Sequence, residues 1–240
     1  MRTDSERGFV LHRYPYGETS LLLEAFTHGC GRVGLVARGV RRPGRAFAGA
    51  HLRPFQPLLL SWSGRGDLGT LTHVETPEMA IGLKGNAVWC AFYVNELVLR
   101  LLHRHEAHGD LYVAYDDVLR RLAEESCQEQ ALRVFEKRLL ASLGYGLALV
   151  HDARTGEPLR ANRSYRYLPD EGPVAVDGES RGLAVKGATL IALARETFLD
   201  PEQLREAKTL LRASLAPLLG DKPLYTRSLF RSMQPHPSQP

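Results

Sequence analysis

Over the first eighty positions the apolar residues come in runs of five to eight, separated by turn-forming residues. Residues 9–14, 20–26 and 33–40 are such runs, broken by Pro15-Tyr16-Gly17 and by Gly29-Cys30-Gly31. Short apolar runs bounded by Gly and Pro clusters are the pattern of β-strands. Residues 58–62 form an apolar run interrupted only by Ser61, Gly64-Arg65-Gly66-Asp67 turns the chain, and residues 68–74 return as the other arm of a hairpin. Five short strands ending near Pro77 predict a small closed barrel of the OB type. Between the third and fourth strands, the Gly, Pro and Ala content of residues 41–50 predicts a mobile loop bearing arginines.

After Gly85 the period lengthens. Ala91, Val94, Val98, Leu101 and Leu102 recur at helical spacing, as do Leu111, Tyr115, Val118 and Leu122, and then Leu132, Phe135, Leu139 and Leu143. Three successive helices are expected, the last stopping at Gly144. Residues 151–182 turn polar and irregular, with Pro158, Pro169, Gly172, Pro173 and Gly178 around a strand-like stretch at 165–168, and read as an insertion with a small hairpin. Helix resumes over 188–197. Asp200-Pro201-Glu202-Gln203 then supplies an N-cap, a proline at the first helical position and a glutamine at the third. That helix is expected to turn Leu204, Leu211, Leu215 and Leu218 inward and to stop at Gly220, before a last short helix over 228–233 and a disordered tail over 234–240. The expected class is α+β. An OB barrel occupies 1–80, a helical domain follows in two parts, 81–150 and 185–233, and an insertion at 151–184 separates them.

Composition narrows the function. With 240 residues and 44% hydrophobic content the chain can bury one large core or two smaller ones. No run approaches the roughly 18 to 20 apolar residues of a membrane span, and the first residues lack the apolar stretch of a signal peptide, so a cytoplasmic protein is expected. Cys30, Cys90 and Cys127 are far apart, with no CxxC pair to suggest a disulfide framework or a cysteine-rich zinc site.

Charge is distributed unevenly. Between Glu24 and Asp67 there is no acidic residue but seven arginines, Arg32, Arg38, Arg41, Arg42, Arg45, Arg53 and Arg65, against +4 for the whole chain. Residues 67–206 hold 16 Lys and Arg against 22 Asp and Glu, while 207–240 add Lys208, Lys222 and three arginines against Asp221 alone. Such concentration points to a polyanion-binding surface rather than to a merely solvated face. Phe47, Phe55 and Trp62 lie in or beside the arginine-rich stretch. Single-strand binders combine cationic grooves with aromatic faces; Phe55 and Trp62 are better read as packing, and Phe47, in the loop, serves either role.

Other chemical motifs dissolve on inspection. Gly64-x-Gly66-x-x-Gly69 matches a dinucleotide fingerprint as a string, but a strand-like pattern follows where the fingerprint needs a helix. His103, His105 and His108 have the wrong spacing to converge from one helix face, and His105-Glu106-Ala107-His108 is one residue short of H-E-x-x-H. No nucleophile elbow or Walker loop is present, and adjacent carboxylates such as Asp116-Asp117 point apart on a helix. No catalysis is expected.

Gly8-Phe9-Val10-Leu11-His12, Glu18-Thr19-Ser20-Leu21, Val36-Ala37-Arg38-Gly39-Val40-Arg41 and Leu52-Arg53-Pro54-Phe55 resemble the RecO family of DNA repair proteins. The likeness continues through Tyr93-Val94-Asn95-Glu96-Leu97, Arg133-Val134-Phe135-Glu136, Leu143-Gly144-Tyr145-Gly146, Lys222-Pro223-Leu224 and Ser228-Leu229-Phe230-Arg231, nearest to gamma-proteobacterial members. The resemblance implies an OB-fold, a helical domain and, in many members, a four-cysteine zinc element within it. Here the insertion has no cysteine, so a metal-free remnant and no cofactor are expected. It further implies binding of single- and double-stranded DNA, annealing of complementary strands, and work with RecR, and in many species RecF, to place RecA on DNA covered by single-strand-binding protein.

The residues and the resemblance meet at Arg38, Arg41, Arg42, Arg45 and Arg53, with Phe47, as the expected DNA site. Lys222, Arg227 and Arg231 are its possible extensions. By resemblance Arg133 is the expected anchor for the acidic, apolar-ended tail of single-strand-binding protein; the alternative is an exposed arginine paired with Glu129 or Glu136. Two rival readings use the same basic surface. One is an adaptor for acidic protein partners and the other an RNA-binding OB protein.

Overall fold

The computed structural model describes residues 2–42, 51–64, 66–124, 128–169, 171–176, 182–198 and 200–233. These form two compact units, residues 1–125 with 223–240, and residues 126–222. The unit containing the barrel thus also takes in the first two helices and the last one, while the helix over 128–142 belongs to the other unit.

Five strands close the barrel: β1 (Arg2–Tyr16), β2 (Ser20–Thr27), β3 (Gly31–Ala37), β4 (Leu58–Ser63) and β5 (Leu68–Glu75), in the order β1-β2-β3-β5-β4. Neighbours are antiparallel except β3 and β5, which run parallel. Alternation fills the interior. Leu21, Leu23 and Ala25 of β2, Val33, Leu35 and Ala37 of β3, Leu58 and Leu60 of β4, together with Val10 and Leu52, form its core. Strand β1 starts well before the apolar run at residue 9, because Arg2–Gly8 pairs with β4 from Ser63 back to Leu58 while offering largely polar side chains. Strand β3 stops at Ala37 rather than Val40, and the next residues turn across the end of the β1–β2 hairpin.

Helices α1 (Asn86–Leu101) and α2 (Gly109–Ala123) complete this unit with the C-terminal α6 (Tyr225–Met233). Buried Asn95 ties α1 to both neighbours: its Nδ2 donates to the Leu11 carbonyl at 2.8 Å, and its Oδ1 accepts from the Tyr115 hydroxyl at 2.5 Å. Glu96 caps α6, accepting the backbone N–H groups of Tyr225 and Thr226 at 2.7 and 2.9 Å, a carboxylate at the positive end of a helix.

The second unit holds α3 (Gln128–Ser142), a three-stranded sheet of β6 (Ser164–Leu168), β7 (Gly172–Ala175) and β8 (Leu183–Lys186) in the order β7-β6-β8, then α4 (Gly187–Arg195) and α5 (Pro201–Leu219). The expected hairpin is therefore one strand larger. Its entry is held by Asp152, whose buried carboxylate accepts the N–H groups of Arg154 and Thr155 on one oxygen and of Ala175 on the other. Burial pushes this acid upward, but the three donors outweigh it and hold its pKa below the ordinary value. Asp200 caps α5 through the Gln203 N–H at 2.8 Å, with Pro201 following. The buried face of α5 is Gln203, Ala207, Leu210, Leu211 and Leu215; Leu204 and Leu218, expected inward, stand at its margins. Glu196 ends α4 in the left-handed conformation and joins it to α3 by accepting from Lys137 and Arg138.

Candidate nucleic-acid interface

Residues on the outward face of β1, β2 and β3 can be followed in register from one end to the other. At the first end Phe9 is paired with Phe26, and both rings are buried against Tyr112 and Tyr115 of α2, with centroids 5.2 to 5.8 Å apart. Each such ring contributes roughly 2–3 kcal/mol by burial. One step along, His12 pairs with Glu24 and Glu24 with Gly34. Glu24 is bonded to Arg104 in the connection between α1 and α2, and lies 3.6 Å from Arg32. Arg32 also donates to the Leu99 carbonyl, and its own carbonyl accepts from the His105 N–H. The connection fits so closely that the Glu106 carbonyl occupies the place where a Cβ on Gly31 would stand, and Gly31 has φ +66°. Arg32 is therefore a structural cation. One of the seven arginines of the acid-free segment is spoken for.

Beyond Glu24 the covering stops. Tyr14 pairs with Leu22, and Leu22 with Val36; Tyr16 pairs with Ser20. Tyr14 and Tyr16 are 47% and 49% exposed. Arg38, Arg41 and Arg42 follow β3, and all three are exposed. The Arg41 N–H donates to the Thr19 carbonyl at 2.8 Å and its guanidinium to the Gly17 carbonyl at 3.5 Å, while the Gly39 N–H reaches the Ser20 hydroxyl at 3.4 Å. These bonds hold Arg41 and the Gly39 backbone against the β1–β2 turn. Arg53 is also exposed, next to the short bridge between Val10 and Pro54. Arg45 and Phe47 lie outside the described residues, as does Arg65.

The remaining expected residues fall elsewhere. Arg227, half-buried on α6, places its guanidinium 5.6 Å from the centre of the Tyr93 ring. Arg231 is on the same helix, and α6 packs on α1 within the barrel's unit. Lys222 is exposed at the end of the other unit. Arg133 is not the exposed arginine of the alternative reading: it is 4% exposed, and its Nη2 donates to Glu136 Oε1 at 2.7 Å. Phe55 is buried, edge-on to Phe92 at 5.0 Å, and Trp62 is partly buried against the barrel core, as the packing reading of both expects.

Tyr14 and Tyr16 are what reading the sequence misses. Tyr16 reads as part of a turn with Pro15 and Gly17, although His12, Tyr14 and Tyr16 keep the two-residue alternation that marks an outward face. Among the described residues no three His, Cys, Asp or Glu side chains come together in a way that would hold a metal ion. The cysteine-free insertion does not fit the zinc element that the resemblance implies for many relatives.

Comparison with known proteins settles the family. Residues 1–79 match the family model "Recombination protein O N terminal" and residues 83–228 match "Recombination protein O C terminal". The chain belongs to the RecO family of DNA repair proteins. It is 48% identical to the DNA repair protein RecO of Nitrosococcus oceani, over 98% of this chain and 95% of that protein. With the RecO proteins of Nitrosospira multiformis and Methylococcus capsulatus the identity is 42% and 46%, covering 97% and 95% of this chain and 97% and 93% of theirs. RecO membership carries the general role in recombination repair, and the closed barrel followed by helices agrees with it. No described helix is long and apolar enough to cross a membrane.

Proposed function

We propose that this protein is a non-catalytic recombination mediator that binds single- and double-stranded DNA without sequence preference and anneals complementary strands. With RecR, and with RecF where present, it helps to load RecA onto DNA coated by single-strand-binding protein, in the cytoplasm at the nucleoid. The observation that supports this most is the open end of the barrel, where Arg38, Arg41 and Arg42 are exposed and Arg41 is bonded to the β1–β2 turn. Arginines without a base-reading element bind phosphates and so confer affinity without sequence information. OB barrels bind oligonucleotides on their strand 2–3 face and at the loop between strands 1 and 2, where these residues lie. Annealing follows when two strands are held with their charges screened.

The acidic tail of single-strand-binding protein meets Arg133 by replacing Glu136, one carboxylate for another in a buried pair. Removing Arg133 leaves Glu136 without this partner and costs about 3 kcal/mol of stability, so Glu136→Gln is the cleaner probe. It should strengthen binding of the isolated tail peptide; unchanged affinity in both Arg133→Lys and Glu136→Gln rejects this anchor. The whole reading is tested by annealing of complementary strands coated with single-strand-binding protein that bears or lacks its tail. Faster annealing that depends on the tail is expected, and no acceleration of either bare or coated strands contradicts the proposal.

A further inference from the structure

Tyr14 and Tyr16 pose a problem of packing. They stand on the same outward face as Phe9 on β1, about 6.8 Å apart along the strand. Phe9 is covered by two rings of α2, yet Tyr14 and Tyr16 remain half exposed, Tyr14 touching the His12 ring at 4.3 Å, centre to centre. Two exposed aromatic rings on adjacent outward positions leave apolar faces in water that a ligand could cover.

Their neighbours say what kind of ligand. Tyr16 pairs with Ser20, and extending the β2–β3 register one step past Leu21 and Ala37 brings Arg38 opposite Ser20. Arg38 is thus two strands from Tyr16, about 10 Å at the backbone. The Arg41 guanidinium is bonded to the carbonyl of Gly17, the residue after Tyr16. A row of arginines, with Glu18 of the β1–β2 turn as the acid beside it, flanks two flat apolar faces, which matches a molecule with anionic links between flat, weakly polar rings.

We propose that Tyr14 and Tyr16 form a stacking platform for the unpaired bases of single-stranded DNA, with the phosphates held by Arg38, Arg41 and Arg42. This rests on the DNA-binding reading above and gives it a base-dependent half. Binding to phosphates weakens with salt, whereas stacking does not release counterions. Duplex DNA keeps its base faces hidden and so engages the arginines alone. The platform makes the single strand the preferred ligand and leaves a paired product more weakly held, which suits a protein that anneals strands and must then release them.

The experiment compares three ligands of equal length, a thymidine oligonucleotide, the same oligonucleotide made abasic, and a duplex, against wild type, the Tyr14→Ala/Tyr16→Ala double variant and the Tyr14→Phe/Tyr16→Phe double variant. Each ring removed should weaken thymidine oligonucleotide binding about tenfold. The salt slope and the duplex affinity should stay at wild-type values, and the Phe variant should bind as wild type does. Wild type should already bind the abasic strand as weakly as the Ala variant binds the thymidine strand. Equal wild-type affinity for thymidine and abasic strands, or undiminished thymidine affinity in the Ala variant, overturns the platform. If Arg38→Ala/Arg41→Ala/Arg42→Ala also leaves binding unchanged, the DNA-binding reading falls with it; if that variant loses affinity while the Tyr variants keep it, only the stacking fails.

Discussion

At one end of the barrel's outer face Phe9 and Phe26 are buried under Tyr112 and Tyr115, whereas farther along the same strands Tyr14, Tyr16 and Arg38 face solvent. The two ends are built from similar residue types. Both have aromatic rings at outward positions of β1 and arginines on or just after β3. What differs is what lies over them. At the closed end Arg32 and Arg104 converge on Glu24, and the connection between α1 and α2 fills the surface. At the open end Arg41 is bonded to backbone carbonyls of the β1–β2 turn rather than to a carboxylate, and the segment between Glu24 and Asp67 carries no acid of its own, Glu18 of the turn being the acid beside it. An arginine count locates a basic segment, but only the partners of each arginine separate structural cations from those available to a polyanion.

The largest stability effect should come from the closed end. Glu24→Ala leaves Arg32 and Arg104 facing each other without their carboxylate, and should lower the unfolding free energy by about 3 kcal/mol, read from a urea midpoint. The salt slope of DNA binding should not change; a parallel fall in slope would mean that the two ends do not work separately. Asn95→Ala removes the buried hydrogen bonds to the Leu11 carbonyl and from the Tyr115 hydroxyl and should cost about 2 kcal/mol, again with DNA affinity intact. Arg38→Ala should do the reverse, weakening binding while shifting stability by no more than about 0.5 kcal/mol.

The smallest effect lies at the border. Burial lowers the pKa of His12, and the Glu24 charge opposes this only in part. The unfolded chain therefore takes up this proton at higher pH than the folded one. His12 costs no stability well above pH ~6.5, and destabilises the fold as pH drops below that value. In His12→Gln that component should vanish from the pH dependence, and at neutral pH the salt slope should match wild type. A slope that differs at neutral pH would place a charged His12 in the interface.

The barrel is legible in the sequence because its inward positions alternate cleanly, as Leu21, Leu23 and Ala25 do. Residues 2–8 are not, since their strand pairs through the backbone while mostly polar side chains stand outward. The cap at Asp200 is legible as a local signal of cap, proline and glutamine, and Leu211 and Leu215 are buried as expected, but the buried stripe of α5 runs through Gln203, Ala207 and Leu210 rather than Leu204 and Leu218. The arginines after β3 stand out by composition alone. That Arg32 is consumed by Glu24 depends on Arg104, far away in the chain, and no local pattern records it. Tyr14 and Tyr16 are hidden for a different reason: an exposed ring and a core ring have the same period along a strand, and only the position of α2 tells them apart.

The most direct measurement is the dependence of single-stranded DNA affinity on salt, compared between wild type and Arg38→Ala/Arg41→Ala/Arg42→Ala. Each arginine–phosphate pair removed should flatten the logarithmic slope by about 0.7, so the triple variant should be shallower by about 2 and weaker at every salt concentration below the crossing point. A slope equal to that of wild type would contradict the assignment of the open barrel end as the DNA-binding surface.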